Sequence, residues 1–206
     1  ELIGDGSLGV LNEKQAQGFD VMHRAAERLD KLIEDLIEFS TASREGLSLR
    51  MGPVDAVPVL REVFSEARDK AKQKKIKITA KSPDQLPELY ADSDRIRWVL
   101  IQLLDNAIKF TPEGGEVNLT VMPFDRQVLF NITDTGIGIP EDRINELFEP
   151  FHQLDSSPTR SYGGTGIGLA LVKLILDSHG VELKITSTEG TGSQFGFILP
   201  NASEMI

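Results

Sequence analysis

Gly163-Gly164-Thr165-Gly166-Ile167-Gly168-Leu169-Ala170 is the stretch on which the reading of this chain turns. It runs directly into apolar residues up to Ile175, and Gly180 follows, so the sequence predicts a glycine-rich turn opening a helix over 166–179. A helix start of this kind presents unpaired backbone N–H groups and the positive end of the helix dipole, a combination that suits phosphate. Two common phosphate loops are excluded by spacing. Counted from Gly164 or Gly166, the third glycine of G-x-G-x-x-G falls on Leu169 or Leu171, and no G-K-[ST] follows.

Two upstream segments add chemistry. Asp134-Thr135-Gly136-Ile137-Gly138-Ile139-Pro140 follows an alternating stretch, Val128 to Thr133, that reads as a strand. An ionised Asp is acceptor-only and can take a hydrogen bond from an exocyclic amine such as adenine N6. Gly136 and Gly138 let backbone approach a flat ligand without a Cβ in the way. Residues 93–110 predict a strong helix with Ile96, Val99, Leu100, Leu103, Leu104, Ala107 and Ile108 on its core face. Gln102, Asn106, Lys109 and Phe110 share the other face. An amide oxygen at Asn106 is a hard neutral ligand for Mg²⁺, Lys109 is a point charge for phosphate, and Phe110 can pack near a base or ribose. Each segment alone also fits a plain turn or a solvated helix face; the order and combination carry the reading.

Around these segments the chain predicts a long amphipathic helix over 12–40, with Met22, Ala25, Ala26, Leu29, Leu32, Ile33, Leu36 and Ile37 recurring at helical steps and Glu27/Lys31 as a favourable pair. The narrow stripe suits a two-helix hairpin or a dimeric bundle. Residues 1–10 read as a turn entering that helix, and Ser40 to Pro53 as a linker. A helix over 55–73 tolerates Pro58 in its first turn. Strands are predicted at 76–80, 117–121, 128–133, 181–187 and 194–199, and a short helix at 141–148. Strands joined by short loops imply a mostly antiparallel sheet with helices on one face: an α+β protein, a two-layer α/β sandwich preceded by a helical extension. The division expected is 1–50 for the extension and 51–206 for the sandwich.

Composition bounds the rest. The chain has 206 residues, 40% hydrophobic and 26% charged, with no cysteine, so disulfides and thiolate metal sites are excluded. A net charge of -10 opposes nucleic-acid binding. Lys70, Lys72, Lys74, Lys75, Lys77 and Lys81 form one basic cluster, read as a solvated helix end and edge strand, with an acidic protein partner as the alternative. No apolar run reaches the ~20 residues of a membrane helix, and the first residues lack the pattern of a secretory signal.

The Asn106 segment, Asp134-x-Gly136-x-Gly138, Phe148-Glu149-Pro150-Phe151 and Gly164-x-Gly166-x-Gly168, in this order, resemble the catalytic and ATP-binding domain of a sensor histidine kinase. That domain belongs to the GHKL, or Bergerat-type, ATP-binding group shared with topoisomerase, mismatch-repair and chaperone ATPases. The resemblance implies that Asn106 coordinates Mg²⁺, that Lys109 meets the phosphates, and that Asp134 reads the adenine amine beside Gly136 and Gly138. It implies a lid over 149–165 containing Arg160. Gly164, Thr165, Gly166, Gly168 and Leu169 fall beside the phosphates, and Ser193 stands where related folds often have a Thr near adenine. Residues 12–40 resemble the second helix of the dimerisation hairpin.

Two departures stand out. Gln102 occupies a place where the kinases usually have Asn and the hydrolysing relatives Glu; metal binding through Gln102 is open, but a Gln cannot be a general base for water. The phosphoacceptor box is absent, and none of the chain's 3 histidines has its context. The expected function is Mg-ATP binding and γ-phosphoryl transfer to a histidine outside this chain, for relay to a response-regulator receiver domain. A homodimer is expected in the full protein. The expected location is the cytoplasm, whether as a free protein or as the cytoplasmic part of a membrane-anchored sensor. The alternatives are a hydrolysing GHKL ATPase and a non-catalytic ATP-sensing dimerisation module.

Overall fold

The computed structural model describes residues 11–152 and 166–204. The predicted turn at 1–10 and the side chains of the Glu27/Lys31 pair lie outside what it describes.

The first helix, α1, spans Glu13–Glu45. Asn12 caps it, accepting from the Gln15 amide at 3.0 Å while the Gln15 side chain returns a bond to the Asn12 amide at 3.0 Å. The helix continues past the predicted end at residue 40 because no Pro or Gly interrupts 40–45; Gly46, at φ 78, is the first residue able to turn it off. The reading of Ser40 to Pro53 as a linker is corrected at both ends, since Gly52–Val54 forms a strand, β1. Val21, Met22, Leu29, Ile33, Leu36 and Ile37 remain exposed on α1.

Helix α2, Ala56–Gln73, is capped by Asp55 and buries Ala56, Leu60, Val63, Ala67 and Ala71. Strands β2 (Lys77–Lys81) and β3 (Leu89–Ala91) follow. Helix α3 spans Ser93–Phe110, as its sequence predicts. The Asp92 carboxylate accepts the Arg95 amide at 3.1 Å at its start, and the buried Thr111 hydroxyl donates to the Ala107 carbonyl at 2.6 Å at its end. The Lys74 ammonium also donates to the Ile108 carbonyl at 2.9 Å and to that of Lys109 at 2.5 Å, pairing carbonyls of the last turn and meeting the negative end of the dipole. Burial lowers the Lys74 pKa.

Strands β4 (Glu116–Phe124) and β5 (Gln127–Asp134) form a hairpin. Two short 3₁₀ turns, Glu141–Arg143 and Asn145–Phe148, replace the short helix predicted at 141–148. Helix α4 is Gly168–Ser178, and β6 (Lys184–Thr188) and β7 (Gly192–Pro200) complete the sheet. The order is β2-β4-β5-β7-β6. All neighbours are antiparallel except β2 and β4, which run parallel because α3 lies between them in the chain. A separate two-stranded sheet, β1 against β3, was not predicted.

Alternation along the strands sends Val117, Leu119 and Val121, then Val128, Phe130 and Ile132, then Phe195, Phe197 and Leu199 to one face, where all are buried. The apolar stripes of α2, α3 and α4 join them in one core. Phe130 and Phe197 stack at its centre, 5.0 Å between ring centroids. The result is the expected α+β two-layer sandwich, with the long helix α1 ahead of it.

Candidate functional site

The sheet's pairing defines rows across its core face. One row is Leu119, Ile132, Phe195 and Ile185, wholly apolar. The next row toward the sheet's end is Val117, Asp134, Ser193 and Ser187. The apolar core therefore stops at a polar row on the same face, under the helices. Ser193 retains only 9% of its exposure. The Asp134 carboxylate accepts the Gly136 amide at 2.8 Å and a backbone bond from Ser193. Burial raises its pKa above the ordinary carboxylate range, and those two backbone bonds work in the opposite direction.

The loop after Asp134 is sewn down on three sides. Its Ile137 amide donates to the Phe110 carbonyl at the end of α3, at 3.3 Å. The Ile137 carbonyl accepts from the Gly190 amide at 2.7 Å. The Ile139 amide donates to the Ser187 hydroxyl at 2.8 Å. Gly136 and Gly138 make this possible. A Cβ on Gly136 would lie 2.6 Å from Asp134 Oδ1 and 2.8 Å from the Phe110 carbonyl oxygen. Gly138 has φ 67, and a Cβ there would collide with the Thr188 carbonyl. Gly136 is thus hemmed by the Asp134 carboxylate and the Phe110 backbone, and Gly138 by the backbone at Thr188 and Glu189, whereas the sequence suggests room for a ligand.

On α3, Gln102 and Asn106 are one turn apart. Gln102 is 9% exposed, yet neither side chain makes a hydrogen bond among the described residues. Gln102 Oε1 faces the start of α4, where a Cβ on Gly168 would lie 3.1 Å away. The α4 N-terminus has no side-chain cap. The helix begins two residues later than predicted because Gly166 has φ 72, outside the helical region. Gly166 instead accepts the Phe151 amide at 3.0 Å, tying the start of α4 to the Phe148-Glu149-Pro150-Phe151 segment. Lys109 Nζ sits 4.6 Å over the Phe110 ring. Leu169 packs partly buried against the core.

These contacts join Gln102 on α3 to Gly168, and Phe110 at the end of α3 to Gly136, Asp134 and Ser193, with Asn106 and Lys109 on the same half of the helix; Gly138 packs on the Thr188 backbone and Gly166 on the Phe151 segment. Arg160, Gly164, Thr165 and most of the expected lid lie outside the described residues. Sequence reasoning missed Ser187, which carries no motif and enters the site only through strand pairing. Among the described residues no group of three or more acidic or histidine side chains is placed to hold a metal. The unpartnered Gln102 and Asn106 amides nevertheless fit a magnesium ion that takes its remaining ligands from phosphate and water.

Residues 91–203 match the family described as histidine kinase-, DNA gyrase B-, and HSP90-like ATPases. The chain belongs to that family. Its α+β sandwich is a GHKL-type ATPase domain, and its relatives are named as histidine kinases. The circadian input-output histidine kinase CikA of Synechococcus elongatus is 36% identical over 196 residues, covering 94% of this chain and 26% of that protein. The adaptive-response sensory kinase SasA of the same organism is 35% identical over 201 residues, covering 94% of this chain and 51% of its own length. The chain thus spans a quarter to a half of the curated relatives just named. Full-length ShkA, solved in complex with AMPPNP, superposes with a TM-score of 0.81 at 30% identity, covering 96% of this chain and 41% of ShkA. The histidine kinase AdeS of Acinetobacter baumannii gives 0.74 at 26% identity over 97% of this chain and 90% of its own. No helix among the described residues of this family member is long and apolar enough to cross a membrane.

Proposed function

We propose that the chain is the Mg-ATP-binding catalytic core of a sensor histidine kinase. It transfers the γ-phosphoryl group to a histidine that is not one of its own, for relay to a response-regulator aspartate. The observation that carries this reading is the pair of amides, Gln102 and Asn106, unpartnered among the described residues and one turn apart on a helix whose Gln102 faces the uncapped start of α4 and whose Phe110 end meets the Asp134 loop.

In this reading Asp134 accepts the adenine amine, and Gly136 and Gly138 let the loop close beside the base. Asn106 and Gln102 hold Mg²⁺, Lys109 meets the phosphates, and the backbone at Gly166 and Gly168 adds N–H groups. Bound Mg²⁺ supplies charge neutralisation at the phosphate oxygens. The protein's contribution is position and electrostatics, which is most of what phosphoryl transfer asks of an enzyme. Gln102 cannot abstract a proton from water, which favours transfer over hydrolysis.

The histidines support an external acceptor. His152 Nε2 pairs with Glu146 at 3.0 Å. His179 holds the Ile175 carbonyl through Nδ1 at 2.8 Å and accepts the Asp92 amide at Nε2 at 3.1 Å. His23 stacks on Phe19 on α1, 5.9 Å between centroids. We assign residues 1–50 to a dimerisation hairpin, supported by the exposed α1 stripe, and 51–206 to the catalytic domain. A homodimer and a response-regulator receiver are the partners this implies.

Titration with a fluorescent ATP analogue, with and without Mg²⁺, tests the reading. The wild-type chain is expected to bind more tightly with Mg²⁺, Asn106→Ala to lose that enhancement, and γ-labelled ATP to leave the isolated chain unlabelled. Equal binding in all arms, or label on His23, His152 or His179, contradicts it.

A further inference from the structure

The last four carbonyls of an α-helix have no partner within it. On α3 these belong to Ala107, Ile108, Lys109 and Phe110. The Thr111 hydroxyl and amide take the first, at 2.6 Å and 3.1 Å. Lys74 Nζ takes the next two, donating to Ile108 at 2.9 Å and to Lys109 at 2.5 Å. The Ile137 amide takes the last, at 3.3 Å. The end of α3 is therefore held between the C-terminal end of α2 and the loop after Asp134, and a single lysine supplies the α2 side of that hold.

Lys74 differs from the rest of its basic cluster in what it meets. Lys70 pairs with Asp105 at 2.7 Å, Lys75 with Glu113 at 2.6 Å and Lys77 with Glu116 at 2.8 Å. These three lysines are exposed, and water and salt weaken such pairs. Lys74 is half-buried and spends its ammonium on backbone. Removing it leaves two carbonyls short of a donor at the negative end of the helix dipole. The turn that is released carries Lys109 and Phe110. The Phe110 carbonyl then ceases to be a fixed acceptor for Ile137, and it lies so near Gly136 that a Cβ there would come within 2.8 Å of it. A shift in the last turn of α3 thus passes directly to the Asp134 loop.

We propose that Lys74 is a positioning residue for the nucleotide site: it locks the last turn of α3 and through that turn sets Lys109 and the Asp134 loop. The inference rests on the ATP reading above and adds to it a residue that belongs to none of the nucleotide motifs. Lys74 acts through backbone and has no contact with nucleotide in this account.

The test pairs two measurements on the 206-residue chain, each made well below the melting temperature of the variant: Mg-ATP affinity by equilibrium titration and amide hydrogen exchange by NMR. Lys74→Met keeps the apolar stem and removes the donors. It is expected to weaken Mg-ATP binding about tenfold and to speed exchange at the Ile137 amide, while the Phe130 amide in the centre of the sheet stays as protected as in wild type. Lys74→Arg, which can still reach two carbonyls, is expected to restore both. Lys77→Met, which breaks an exposed pair of the same cluster, is expected to leave affinity within about twofold. A folded Lys74→Met with wild-type affinity overturns the inference. Weaker binding without faster Ile137 exchange, or with faster exchange throughout the sheet, overturns it as well. A wild type that binds no Mg-ATP removes the ATP reading itself, and this inference with it. Should Lys74→Met fail to fold, Lys74→Gln keeps a neutral donor on a shorter stem: weaker binding with faster Ile137 exchange supports the assignment, and unchanged binding overturns it.

Discussion

Two neighbouring rows of the same sheet face do opposite work. Leu119, Ile132, Phe195 and Ile185 bury carbon against carbon beneath α3 and α4, and their burial is stabilising. One step along, Asp134, Ser193 and Ser187 sit under the same helices with polar atoms, one carboxylate among them. That second row costs stability in the empty protein, since burial raises the Asp134 pKa. The difference marks where the apolar core ends: the core rows would be better off without such groups, and on the proposed reading the last row is kept for the nucleotide base.

The largest effect that separates the rows is cavity formation. Phe130 is 1% exposed and stacked on Phe197, so Phe130→Ala is expected to cost about 3–5 kcal/mol in chemical denaturation. Next comes Gly192, whose φ of 134 suits only glycine and whose added Cβ would strike the Asp134 carbonyl. Gly192→Ala is expected to cost about 1–3 kcal/mol and to weaken nucleotide binding with it, because it disturbs the pairing that sets Asp134 beside Ser193. A loss confined to stability would detach that pairing from the site.

Smaller effects sharpen the contrast. Gly168→Ala places a methyl 3.1 Å from Gln102 Oε1 at a position where Ala is otherwise the better helix former. Stability is expected to move by less than about 1 kcal/mol, while Mg-ATP affinity falls several-fold. Unchanged affinity would show that the Gln102 amide is not used. The smallest effect is in pH. A buried carboxylate whose folded pKa is raised contributes most below its unfolded pKa, and that contribution is lost as pH rises through the folded value. Nucleotide-free wild type is therefore expected to lose stability relative to Asp134→Asn on going from acid to neutral pH. A melting-temperature difference that stays flat, or runs the other way, would contradict the assignment of the burial cost to Asp134.

What the sequence made legible follows from how local each signal is. Helix α3 is bounded as its sequence predicts because Asp92, Thr111 and an unbroken apolar stripe all speak within one turn of its ends. Asp134, Gly136 and Gly138 are visible because one strand end and one tight loop carry them. The start of α4 is displaced because only the backbone reveals that Gly166 lies at positive φ. Strands β1 and β3 are three residues each, too short to alternate, and Pro53 masks the first. The parallel pairing of β2 with β4 depends on partners far apart in sequence. Ser187 was hidden for the same reason: its neighbours Ser193, Gly192 and Ile139 reach it across strands and a loop, and no spacing announces them.

The central claim is that the row of Asp134, Ser193 and Ser187 is the base-recognising end of an ATP site. Equilibrium titration of wild type and Asp134→Asn with ATP and Mg²⁺, each checked by thermal melting, tests it most directly. The account predicts that Asp134→Asn melts at or above the wild-type temperature near neutral pH and binds ATP at least about tenfold more weakly. A well-folded Asp134→Asn that binds ATP as tightly as wild type would contradict it.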